Sequence, residues 1–138
     1  MPRPARNSQV VIVRDEHVLN ATHDVDRAIL DRMLADTVMR LTGQTTARAA
    51  WLTLVKPTDT IALVPTPHLN PPHTELVDAV RRALIDAGLV AERISVGNRS
   101  VDVARGATVL IAMPALKAHW LTGIGTVLKN YIMFTGQP

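Results

Sequence analysis

A lysine and a histidine follow a short apolar run in the last third of the chain. Lys117 and His119 come after the run at 109–112, and a Thr-Gly pair follows at 122 and 123. The lysine ammonium is a compact point charge, and imidazole exchanges a proton near neutral pH. This order predicts a small anion site in which Lys117 and His119 are the catalytic candidates.

The Thr-Gly-Ile-Gly stretch at 122–125 is predicted to open a helix. A helix start presents free backbone N–H groups to an anion, and small residues let the ligand approach closely. Neither a dinucleotide nor a P-loop glycine motif is present, so the signal favours an anion without indicating a nucleotide. The ligand-binding candidates in this stretch are Thr122 and Gly123.

Two further segments carry polar side chains after predicted strands. Asn70 lies in the proline-rich loop that follows the second strand, and Arg99 follows the third. Open parallel sheets bind ligands at the carboxyl ends of their strands. We therefore expect Asn70 and Arg99 to contribute to the same anion site.

The histidines of these segments leave a second interpretation open. His68, His73 and His119 could converge on a metal ion, because neutral imidazole is the commonest metal ligand. The chain has no HExxH motif, and three hydrogen-bonded loop histidines are the alternative. The cofactor is therefore unknown at this stage.

The apolar pattern predicts an α/β fold with a mostly parallel small sheet of about four strands and helices packed on its faces. We expect residues 1–8 to be a disordered arm and residues 9–138 a single α/β domain. The predicted strands are 9–14, 60–64, 92–96 and 108–112. Helices are predicted from Asp24 to Gly43, from Thr45 or Thr46 through Leu54, from His73 or Thr74 to Gly88, and from Thr122 onward.

Composition excludes several classes of protein. The 138 residues include no cysteine, so no Cys-ligated iron–sulfur cluster can form within the chain. A net charge of +3 with only 3% aromatic residues gives no sign of nucleic-acid binding. The chain has no signal-peptide pattern and no long apolar run, so we expect a cytoplasmic protein without membrane contact.

The closing segment MPALKAHWLTGIGTVLKNYIMFTG resembles domain-of-unknown-function family 362. In that family a Pro-x-Leu-Lys-x-His stretch precedes Thr-Gly, then Leu-Lys-Asn and a glycine. The stretches QVVIVR, RLTG and HTELVDAVRRALIDAGL are similar as well, so the resemblance covers most of residues 9–136. The matching positions are Pro114, Leu116, Lys117, His119, Thr122, Gly123, Leu128, Lys129, Asn130 and Gly136. The resemblance favours Lys117 and His119 as catalytic residues, and it adds Lys129 and Asn130 to the ligand-binding candidates.

The resemblance implies little about activity, since the family has no settled one. Some relatives carry ferredoxin-like iron–sulfur segments, which the absence of cysteine excludes here. The family usually has Lys-x-Asn after the second strand, where this chain reads Val-Pro-Thr-Pro at 64–67, and it has a long insertion before the fourth strand and a further C-terminal portion. These departures leave a third interpretation open, a non-catalytic, truncated module that acts through homo-oligomerisation.

Overall fold

The computed structural model describes residues 8–65, 71–97, 105–115, 117–119 and 123–125. Most of the predicted N-terminal arm lies outside these ranges. The described residues form α1 Arg27–Thr42, α2 Ala47–Leu54, β1 Ile61–Pro65, α3 Thr74–Ala87, a short 3-10 helix Ala91–Arg93, β2 Ile94–Val96, β3 Val109–Met113, β4 Lys117–His119 and β5 Gly123–Gly125.

Three parallel strands form the main sheet, in the order β2-β1-β3. Ile61 of β1 pairs with Ile94 on one side and with Val109 on the other, and Pro65 pairs with Met113. The predicted α/β mixture and parallel pairing are thus confirmed. The described part of the sheet has three strands rather than about four.

The strand predicted at residues 9–14 is wrong. The stretch is not assigned to the sheet, and β1 already has a strand on each side. The exposure of its residues nevertheless alternates along the chain. Val11 and Val13 are half-buried, while Val10 and Ile12 are 79% and 70% exposed. A β-branched run alone does not make a strand of the sheet, because pairing depends on a partner strand that the local sequence does not contain.

Local capping residues set the ends of the first two helices. Asp26 accepts the N–H of Ile29 at 2.9 Å and is the N-cap of α1, so the predicted start at Asp24 is wrong by about one turn. Gly43 ends the helix in the left-handed conformation, as predicted. Thr46 caps α2 by accepting the N–H of Ala49.

The helix α3 ends at Gly88, whose φ of 113° confirms the predicted glycine cap. Its N-cap residue is His73, but the side chain makes no capping hydrogen bond. The strand predicted at 92–96 is shorter in the structure, since Ala91–Arg93 forms a turn of 3-10 helix and β2 begins at Ile94.

One hydrophobic core joins the three helices to the sheet. Leu84 of α3 is fully buried together with Ile61 and Leu63 of β1, and Val38 and Trp51 bring α1 and α2 into the same cluster. The packing of the helices on both faces of the sheet stays a prediction. No helix in the described part of the chain is long and apolar enough to cross a membrane.

The helix predicted from Thr122 onward is wrong at residues 123–125. Gly123–Gly125 is the strand β5, and it pairs antiparallel with β4. Two glycines in three residues disfavour a helix by about 1 kcal/mol each relative to alanine. The pairing with residues 117–119 instead supplies backbone hydrogen bonds in a short two-stranded ribbon.

Candidate functional site

The carboxyl ends of the three parallel strands lie at one edge of the sheet. Pro65 at the end of β1 pairs with Met113 at the end of β3, and Leu63 pairs with Val96 at the end of β2. The Gly97 N–H also donates to the Leu63 carbonyl over 3.1 Å, so the contact between β1 and β2 continues past the strand end. The three segments that carry the candidate residues therefore leave the sheet from this carboxyl edge.

The β4–β5 hairpin follows β3 in the chain and contains three of the candidates. Lys117 pairs with Gly125, and His119 pairs with Gly123. Glycine within a strand lets another group approach the backbone closely. The hairpin thus sets each catalytic candidate opposite a residue without a side chain.

The change from helix to strand alters the expected chemistry of residues 123–125. We predicted that their N–H groups would bind an anion at a helix start, with help from the helix dipole. Residues in an antiparallel ribbon have no such dipole. Binding at this segment would have to rely on side-chain charge and on the open backbone of the glycines.

Six candidates lie outside the described residues. This holds for the ligand-binding candidates at the strand ends and in the closing segment and for one of the three histidines. They are Asn70, Arg99, Thr122, Lys129, Asn130 and His68. Their roles stay predictions.

Of the three candidate metal ligands, His73 is the one whose side-chain surroundings the structure describes. It is exposed at the N-cap of α3, and its carbonyl accepts the Leu76 N–H over 3.1 Å. Two residues further on, the backbone N–H of Glu75 donates a hydrogen bond to the Glu75 carboxylate, and this is the main cause that lowers the pKa of Glu75. The Thr74 hydroxyl adds to the effect. Within the described ranges no three metal-ligating side chains come together.

The opposite edge of the sheet, before β1, holds a structural cluster. The Lys56 N–H and the Thr108 hydroxyl both donate to the Asp59 carboxylate, over 2.7 and 2.9 Å. These two hydrogen bonds, that from Lys56 foremost, lower the pKa of Asp59. Lys56 thus belongs to a turn at the other end of β1 from Lys117.

A groove that the sequence analysis did not predict lies between the three helices. Trp51 belongs to the hydrophobic core and is 5% exposed. The same indole also lines the groove, together with Leu34 and five alanines. The signal available in the sequence was the recurrence of alanine at 79, 83 and 87, which is one face of α3.

Comparison of the chain with protein-family models, with curated proteins and with solved structures found no match. The resemblance to domain-of-unknown-function family 362 therefore stays a prediction.

Proposed function

We propose that this protein binds an anionic small molecule at the carboxyl edge of its sheet, with Lys117 and His119 as the central residues. The observation that supports this proposal is the parallel register of β1, β2 and β3, which sends the segments after all three strands out at one edge. Ligands of open parallel sheets bind at that edge. The hairpin with the two candidates begins four residues after β3.

The spacing of the strands sets the size of the ligand. Neighbouring strands lie about 4.8 Å apart, so β2 and β3 are separated by roughly 10 Å across β1. A ligand of about that length would reach both Arg99, which follows β2, and Lys117, which follows β3. This favours a metabolite with two anionic groups over a single inorganic ion.

Each candidate has a chemical role in this proposal. Lys117 would supply a positive charge and His119 a proton donor or acceptor, from the first and last residues of β4. Arg99 would bind a carboxylate or phosphate with two parallel hydrogen bonds. Further polar contacts would come from Asn70, Thr122, Gly123, Lys129 and Asn130.

A binding titration with a matched pair of lysine variants tests the proposal. Citrate and pyrophosphate are suitable probes, because each carries anionic groups at both ends. Loss of a charged hydrogen bond costs about 1.5–3 kcal/mol, so Lys117→Ala should weaken binding by roughly 10- to 100-fold. Lys56→Ala is the control, since Lys56 lies at the other end of β1. Equal affinities for the two variants would refute the proposal, as would the absence of binding to the wild-type chain.

A metal-dependent enzyme that uses His68, His73 and His119 is the alternative. The imidazole of His73 is exposed and makes no capping hydrogen bond, so it is available to a metal. However, a cation at the first turn of α3 opposes the helix dipole, which makes this the less favoured proposal. Stoichiometric zinc, nickel or iron in untagged protein, lost in His73→Ala, would support it.

A role in assembly is the third candidate function. The β-branched stretch at 9–14 lies outside the sheet, with Val10 and Ile12 exposed. Unpaired strand-forming segments recruit other strands. Light scattering on the purified chain tests this candidate, and a monomer at all concentrations would count against it.

A further inference from the structure

The three helices enclose a groove that is separate from the carboxyl edge of the sheet. Its volume is about 210 Å³. Each of α1, α2 and α3 contributes side chains to it, because every pair of these helices is in contact. The lining residues are Asp31, Leu34, Ala35, Ala47, Arg48, Trp51, Ala79, Arg82, Ala83, Asp86 and Ala87.

Small residues create the space in front of the tryptophan. Ala35 on α1, Ala47 on α2 and Ala83 on α3 line the groove and are only half-buried. Larger side chains at these positions would fill the depression, because interiors pack without voids larger than a water molecule. The result is an apolar wall of Leu34 and Trp51 that remains open on one side.

The indole N–H of Trp51 has no hydrogen-bond acceptor among the described residues. Nε1 is buried, and the whole side chain is 5% exposed. Buried N–H groups are almost always paired. An acceptor brought in by a bound molecule would therefore remove an unfavourable feature of the empty groove.

The two arginines at the rim of the groove have different hydrogen-bond partners. Arg82 forms an ion pair with Asp31 over 2.8 Å. Arg48 instead donates to the main-chain carbonyl of Asp86 over 3.1 Å, and no carboxylate lies within salt-bridge distance of it in the described part of the chain. Its guanidinium has five N–H groups, so Arg48 retains donors for an anion.

We propose that the three-helix groove binds a small planar aromatic molecule that carries one carboxylate. The ring lies against Leu34 and the indole of Trp51, and the carboxylate accepts hydrogen bonds from Arg48. A small tilt of the indole then turns Nε1 towards the same carboxylate. The volume fits this class of ligand, because an apolar cavity of about 150 Å³ already holds benzene.

Nuclear magnetic resonance of the ¹⁵N-labelled chain tests this proposal, with benzoate and toluene as probes. The chain has two tryptophans, and Trp51→Phe assigns the indole signal of Trp51 by its loss. We expect benzoate to move that signal with a dissociation constant near 1 mM, as is usual for so small a ligand. Toluene lacks the carboxylate and should bind at least ten-fold more weakly.

A pair of alanine variants on α2 supplies the control. Ala47→Leu should fill the groove and abolish the benzoate response, whereas Ala49→Leu should preserve it, since Ala49 is half-buried but does not line the groove. Arg48→Gln should weaken benzoate binding about ten-fold. The proposal is wrong if benzoate leaves the Trp51 signal unmoved, if toluene binds equally well, or if the two leucine variants behave alike. Because Lys117 is not in the groove, failure here would not bear on the anion site.

Discussion

The hydroxyl of Thr108 donates a hydrogen bond to the carboxylate of Asp59 over 2.9 Å. This contact joins the turn before β1 to the residue that precedes β3. The same hydroxyl accepts the N–H of Thr60 over 3.0 Å, and the Thr108 N–H donates to the Thr60 carbonyl over 2.9 Å. Asp59 thus aligns the beginnings of the two strands whose carboxyl ends carry the proposed anion site.

The Asp59 contact predicts a change in stability at low pH. Hydrogen bonds from Lys56 and Thr108 lower the pKa of Asp59 in the folded chain. Its contribution is therefore complete above the unfolded pKa of about 3.9, and it is lost as the pH falls through the lower folded value. Asp59→Asn should lower the urea midpoint more at pH 7 than at pH 3.

The control for the pH experiment is Asp78→Asn, because Asp78 is an exposed residue on α3. This substitution should leave the midpoint nearly unchanged at both pH values. An equal loss of stability at pH 7 and pH 3 in Asp59→Asn would show that the carboxylate charge is not what stabilises the turn.

Gly88 and Gly43 should respond differently to the same substitution. Gly43 has φ 72°, and a Cβ there would meet nothing within 4 Å. Asparagine adopts that conformation readily, so Gly43→Asn should cost less than about 1 kcal/mol. Gly88 has φ 113°, and its Cβ would lie 3.5 Å from Nη2 of Arg48. Gly88→Asn should therefore cost about 1–3 kcal/mol.

Thermal or urea unfolding of the two asparagine variants measures this difference. Gly88→Asn should also disturb the hydrogen bond from Arg48 to the Asp86 carbonyl, because the new side chain would be in contact with the guanidinium. Equal losses in the two variants would mean that the backbone at Gly88 relaxes into the ordinary left-handed region.

Leu84 is predicted to be among the most sensitive positions in the core. It is fully buried in the cluster that joins the helices to the sheet. Leu84→Ala should cost about 2–5 kcal/mol in the free energy of unfolding. Leu54, at 46% exposure, is the matched control, and Leu54→Ala should cost about 1 kcal/mol or less. A cost for Leu84→Ala near that of the control would contradict the described core.

Lysine substitutions in the stretch at 9–14 should affect stability differently at its exposed and its half-buried positions. Val10 and Ile12 are exposed, so Val10→Lys with Ile12→Lys should change stability by no more than about 0.5 kcal/mol per site. Val11→Lys should destabilise more, because Val11 is half-buried. If the chain self-associates through this stretch, the double lysine variant should shift it towards the monomer in light scattering. Association that persists unchanged would exclude this stretch as the contact.

Much of the local structure was predictable because its signals lie within a few residues. Gly43 and Gly88 follow helical periodicity and end α1 and α3, and Thr46 precedes α2. The apolar run around Ile61 is long enough to predict a buried strand. Each of these features depends on contacts between neighbours in the chain, and the amino-acid types alone specify them.

Pairing and packing were decided by residues far apart in the sequence. The stretch at 9–14 has the composition of a strand, yet β1 pairs with β2 and β3 instead. The local sequence predicts a helix at residues 123–125, but in the folded chain these residues pair with residues 117–119.

The groove beside Trp51 likewise exists only where three helices meet. The sequence by itself determined the caps, the apolar faces, the parallel α/β class and the absence of cysteine chemistry. Only the folded chain fixes which strands pair, which residue lies opposite Lys117, and where an indole N–H has no acceptor among the described residues. The physical reason is that long-range partners compete for the same backbone groups and the same apolar surface, and only the folded chain resolves that competition.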